Sequence, residues 1–130
     1  MVRDTAQRPH ERLEVWRDAM DLVVAIYALT AEFPESERFG LTSQIRRAAI
    51  SVPSNIAEGA ARRSRGEYIR FLSMARGSLA ELDTQVRIVD RLGFAKPGVD
   101  LLESINRTFA KLNALIRSLV KSSHPEEPLE

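Results

Sequence analysis

The chain has 130 residues, about one domain's worth, and 44% of them are hydrophobic, enough for a core and against wholesale disorder. Nineteen Lys and Arg against 18 Asp and Glu leave a net charge of +1, so no bulk charge marks an obligate nucleic-acid binder, although a local basic patch remains compatible with it. Cysteine is absent, which excludes disulfides, thiolate metal sites and a cysteine nucleophile. No run approaches the roughly 20 uncharged apolar residues of a membrane span, and no apolar stretch follows the early charges as in a secretory signal. The sequence therefore predicts a cytoplasmic protein without a membrane partner.

Residues 1–12, polar and containing Pro9, are expected to form a flexible N-terminal arm. Residues 13–121 hold four segments of helical periodicity and no convincing strand alternation. The first helix is predicted from Leu13 to Phe33, with Pro34 as its stop. It carries two apolar stripes: Trp16, Ala19, Met20, Val23, Tyr27 and Thr30 in one, Val15, Leu22, Ile26 and Leu29 in the other. A lone bundle needs about one stripe per helix. The seven-residue spacing of Val15, Leu22 and Leu29 predicts that this second row is surplus surface covered by another copy of the chain.

The second helix is expected to open at a Thr42 or Ser43 cap. Its repeat is Leu41, Ile45, Ala48, Val52 and Ile56, and its other positions are small: Ala49, Ser51, Ala57, Gly59, Ala60 and Ala61. Pro53 removes a hydrogen bond to the Ala49 carbonyl and is expected to bend the helix. Ser64 and Glu67 have capping-box spacing and open a third helix, which repeats through Tyr68, Leu72, Ala75, Leu79, Leu82, Val86 and Val89 and stops at Gly93. Gly77 inside it suggests a close packing contact. The fourth helix starts near Pro97 and steps through Leu102, Ile105, Phe109, Leu112, Ile116 and Leu119 to about Val120. Residues 122–130, with two prolines and three acids, are expected to be a disordered acidic tail. Four helices with short connections predict an all-α, antiparallel up-down-up-down bundle with a left-handed twist.

Catalytic chemistry has little support. The only histidines, His10 and His124, lie in the two predicted arms, and no zinc motif, paired-carboxylate motif or phosphate-binding glycine loop occurs. The sequence predicts a non-enzyme with no metal, no cofactor and no small-molecule substrate. Two polar residues stand in the small-residue stretch. The bland reading has Asn55 satisfying the carbonyl freed by Pro53 and Glu58 pairing with Arg46, Arg47 or Arg62; the alternative is a polar site at a subunit interface. Arginine supplies every cation except Lys96, Lys111 and Lys121. Between residues 34 and 70 seven arginines stand against four glutamates, whereas residues 13–33 hold only Arg17 against Glu14, Asp18, Asp21 and Glu32. Arg46, Arg47, Arg62, Arg63, Arg65 and Arg70 are thus candidate contacts to RNA or DNA phosphates, with Arg62, Arg63 and Arg65 clustered at the second helix-helix turn. Salt bridges from this turn to the acidic first helix of another subunit are the competing use.

The run from Leu41 to Gly59, with its internal Val52-Pro53-Ser54-Asn55-Ile56-Ala57-Glu58-Gly59, resembles the hallmark of the four-helix bundle proteins encoded in intervening sequences of bacterial 23S rRNA genes, also called the S23 ribosomal protein family. Val15-Trp16-Arg17-Asp18-Ala19, Phe33-Pro34 and the stretch from Phe71 to Leu82 agree with it. The resemblance implies an antiparallel bundle that assembles as a homopentamer around a central channel, with no enzymatic activity. It makes Pro53, Asn55, Glu58 and Gly59 the structural or assembly motif. The fold is also similar to the accessory protein of diversity-generating retroelements, a basic pentameric bundle that binds nucleic acid and a reverse transcriptase. Two readings follow: a homo-oligomer binding nucleic acid, or a structural adaptor oligomer without such affinity. An enzyme or ligand carrier is a remote third.

Overall fold

The computed structural model describes residues 8–122. Four helices follow in order: α1 (Glu14–Thr30), α2 (Leu41–Ala60), α3 (Arg65–Leu92) and α4 (Val99–Ser122). Two short 3-10 turns, Pro9–Arg12 and Glu35–Glu37, complete the described elements, and no strand occurs among the described residues. Side-chain pairings give the arrangement. Ser51 meets Ser78 and Gly59 meets Phe71, so α2 and α3 run in opposite directions. Arg76 reaches Asn113 and Arg65 reaches Ser122, which does the same for α3 and α4. Lys111 with Glu14 and Arg107 with Asp18 close the ring between α4 and α1. The result is a four-helix bundle in which each helix packs on its two neighbours.

The core is the apolar periodicity folded inward. Leu22, Ile26, Ile45, Val52, Ile56, Leu72, Leu79, Leu82, Val86, Ile105 and Leu112 are fully buried. Each such side chain contributes about 1.5–3 kcal/mol by leaving water. The row predicted to face another subunit belongs here: Val15, Leu22 and Leu29 are buried within the chain's own core. The physical reason is register. They share a face with Ala19 and Ile26, and that face points at α2 and α4; the surplus apolar surface of α1 is the other stripe.

Several boundaries differ from expectation. The first helix ends at Thr30, because Glu32 and Phe33 close back on Leu29 and Thr30 with tight i to i−3 bonds ahead of Pro34. The second opens at Leu41 rather than behind a Thr42 or Ser43 cap; the Glu37 carboxylate accepts from the Leu41 N–H at 3.2 Å instead. It then runs unbroken through Pro53. In the third helix the Ser64 hydroxyl accepts from the Glu67 N–H, and Gly93 at φ +73° supplies the left-handed stop. In the fourth, Leu101 takes the buried place expected of Leu102, which is exposed. Part of the predicted arm is ordered: Pro9–Arg12 form a turn against α1 and α2. Residues 1–7 of that arm lie outside the described residues, as do 123–130, including His124. Of the tail predicted from 122, only Ser122 is described, as the last residue of α4.

Gly77 does not mark close packing. A Cβ built there has nothing within 4 Å. Gly77→Ala is therefore expected to stabilise the fold by about 0.5–1 kcal/mol through helix propensity and unfolded-chain entropy, read as a higher urea midpoint with an unchanged slope.

Candidate nucleic-acid end and apolar flank

The six candidate arginines do not form one patch. Arg62, Arg63 and Arg65 occupy the α2–α3 turn and Arg70 follows on α3. Arg46 and Arg47 stand near the start of α2, roughly 24 Å away along a helix rising 1.5 Å per residue. At the turn, Arg62 pairs with Glu58 and lies over the Phe71 ring, its Cζ 4.8 Å from the centroid. Arg70 pairs with Glu67 at 3.3 Å and also packs on Phe71 at 4.8 Å. Arg65 donates to the Ser122 carbonyl at 2.6 Å, pinning the start of α3 to the end of α4. Among the described residues Arg63 and Arg47 have no ion-pair or hydrogen-bond partner. The exposed pairs at this turn are worth little individually, because water screens them.

The fold adds a cation to this end that sequence spacing did not assign to it. The turn Pro9–Arg12 packs on α2, where His10 shares a cleft with Pro53, Ser54 and Ala57. The Arg65–Ser122 bond brings the end of α4, with Lys121, to the α2–α3 turn. Among the described residues near the α2–α3 turn, Glu58 and Glu67 are already paired, with Arg62 and Arg70.

Of the four acids read as partners for another subunit's basic turn, Glu14 and Asp18 are engaged inside the chain, whereas Asp21 and Glu32 have no ion-pair partner among the described residues. Lys111 reaches Asp18 at 2.6 Å and Glu14 at 3.1 Å, and Arg107 lies 3.8 Å from Asp18. The Asp18 hydrogen bond, followed by that from Glu14, holds the Lys111 ammonium above its ordinary pKa of 10.5. Burial raises that of the Tyr68 hydroxyl, which packs over Gly59.

The α2 motif has a largely internal role. Asn55 Nδ2 donates at 2.9 Å to both the Ser51 carbonyl and the Ser51 hydroxyl, and that hydroxyl meets Ser78 at 2.8 Å. The expected bond to the Ala49 carbonyl is not made; Ala49 lies six residues back, beyond the reach of an asparagine side chain along a helix. Of the three arginines considered for Glu58, Arg62 is its partner. Pro53 is buried and lines the flank between α1 and α2. At Gly59 α2 and α3 approach closely: a Cβ there would stand 2.8 Å from the Phe71 Cβ and 3.2 Å from the Tyr68 carbonyl oxygen.

The apolar surplus lies on the flank of α1 and α2. Trp16, Met20, Val23, Ile50, Pro53 and Ala57 line an open cleft of about 360 Å³, with His10 edge-on to Trp16 at 4.8 Å. Met20 and Ile50 are each 43% exposed. A second cleft, of about 320 Å³, lies between α2 and α3 and is polar, lined by Gln44, Arg47, Ser51, Ser78 and Glu81. Beside it Gln85 donates to Glu81 at 3.2 Å, and its own Oε1 is buried without a partner. Sequence reasoning missed Gln85 because it sits at a core position of a polar-looking turn. Among the described residues no group of His, Cys, Asp or Glu is placed to hold a metal, and no helix is long and apolar enough to cross a membrane.

Fold and site together define a four-helix bundle with a basic end and an apolar flank. The model of the 23S rRNA-intervening sequence protein family matches residues 11–118, and the chain belongs to that family. Among solved structures it is similar to a protein of unknown function from the S23 ribosomal protein family of Bacteroides thetaiotaomicron, at 26% identity and a TM-score of 0.65, over 82% of this chain and 98% of that one. No match was found among curated proteins.

Proposed function

We propose that this chain is a non-enzymatic, homo-oligomeric bundle that binds RNA or DNA through the end formed by the α2–α3 turn. The observation that supports the binding is the clustering of Arg62, Arg63 and Arg65 at the α2–α3 turn, with the Lys121 end of α4 held to it by Arg65 and with Glu58 and Glu67 already paired. Guanidinium groups suit phosphate oxygens in geometry and charge. Cyclic assembly, in five copies on the reading proposed here, would repeat this end around a ring. The flank of Trp16, Met20 and Ile50 is the surface assigned to assembly.

Retention on heparin or an RNA column is expected to fall steeply with salt. The Arg62/Arg63/Arg65→Ala variant is expected to flatten that dependence by about one unit of slope per lost phosphate contact. No retention of the unmodified chain at low salt would leave the second reading, an adaptor oligomer without nucleic-acid affinity. That reading draws on the internal partners of Arg46, Arg62 and Arg70.

A further inference from the structure

At the opposite end of the bundle, where α1 turns into α2, lies a cleft of about 240 Å³, several times the roughly 30 Å³ share of one water. The first N–H of α2 is taken by Glu37, and the Gln44 N–H returns to Gly40. The N–H groups of Thr42 and Ser43 have no acceptor among the described residues. Beyond that Glu37 contact no side chain caps the helix, so part of its positive end stays open, and Thr42 of its first turn lines the cleft.

Thr42 supplies a second, independent sign. It lines the cleft, is only 9% exposed, and has no hydrogen-bond partner among the described residues. The sealed side-chain polar atom without a partner is Gln85 Oε1, so the Thr42 hydroxyl is open to the cleft rather than shut in the core. Arg46 is fixed at the cleft's edge. Its Nε donates to Thr30 at 2.8 Å and its Cζ sits 4.3 Å over the Tyr27 ring, which leaves both terminal nitrogens without a protein partner. Arg38 lines the cleft too, in an exposed 3.5 Å pair with Glu35, which an incoming anion displaces at little cost, and with its Cζ 5.1 Å from the Phe39 centroid.

The geometry points to a phosphate-monoester site here, formed by the Thr42 N–H and hydroxyl, Arg38 and Arg46, with the Ser43 N–H next in the chain and the Glu35 carboxylate at the cleft wall giving up Arg38. Two guanidinium groups and a helix N-terminus match a dianion better than a singly charged diester. The ester is either a small phosphorylated metabolite or the 5′-phosphate end of a nucleic acid. Phe39 is 88% exposed and follows Arg38, so an ester carrying a flat base finds an aromatic ring beside the site.

The test is an NMR titration of the full chain with inorganic phosphate, then a nucleoside monophosphate, then an oligonucleotide with and without its 5′-phosphate. Saturable shifts of the Thr42 and Ser43 amides are expected. Thr42→Val, which keeps the shape of the side chain, and the exposed Arg38→Gln are each expected to weaken binding about tenfold. Stronger binding of the 5′-phosphorylated oligonucleotide than of its 5′-hydroxyl twin, lost in Phe39→Ala, assigns the source to nucleic-acid ends. Equal affinity for the monophosphate and phosphate assigns it to small esters. The Arg62/Arg63/Arg65→Ala variant keeps these shifts, which separates this site from the basic end. Absence of saturable shifts, or unchanged affinity in both Thr42→Val and Arg38→Gln, overturns the proposal.

Discussion

Gly59→Ala is expected to destabilise the protein by about 1–2 kcal/mol, although alanine is the better helix former. The new methyl would stand 2.8 Å from the Phe71 Cβ and 3.2 Å from a Tyr68 backbone oxygen, neither of which is the loose end of a side chain. Relief requires α2 and α3 to separate around Gly59. Overpacking of this kind costs about 1–3 kcal/mol, against which helix propensity returns at most about 1. The same substitution at Gly77, which faces open space, carries the opposite sign. Thermal melts of the two variants at one protein concentration make the comparison, at about 4 °C per kcal/mol for a chain of this size. A Gly59→Ala melt at or above that of the unmodified protein would remove the close-crossing account of the motif.

The double variant Met20→Glu/Ile50→Glu is expected to break the assembly into helical monomers. Both residues are half-exposed on the α1–α2 flank, so a single chain tolerates the carboxylates in water. In an interface the same groups are buried without partners, which costs about 3–5 kcal/mol per interface and weakens association at least a hundredfold. Light scattering reports the mass and far-ultraviolet circular dichroism the helicity. An unchanged particle mass would place the interface elsewhere, the polar cleft between α2 and α3 being the next surface to probe.

The helices were legible because their apolar steps of three and four survive in the fold: Ile45, Val52 and Ile56 are buried, as are Leu72, Leu79, Leu82 and Val86. The Ser64 cap and the Gly93 stop were legible because one residue type meets one backbone requirement. The two stripes of α1 were not assignable, since both are apolar and only the packing of α2 and α4 decides which turns inward. Spacing favoured Val15, Leu22 and Leu29 as the outer row, and the fold buries them. At the α2–α3 turn the arginine cluster itself was readable from adjacency. The contribution of Lys121 was not, because it depends on which helix ends meet in space. Thr42 looked like a cap in sequence; the fold places it one residue inside the helix, facing a cleft.

The central claim is that the flank of Trp16, Met20 and Ile50 is covered by sibling chains. Sedimentation equilibrium of the unmodified protein addresses it most directly. The expected result is a discrete multiple of the 14.6-kDa chain, five in the proposed assembly, that persists on dilution. A single 14.6-kDa species at every concentration would contradict it.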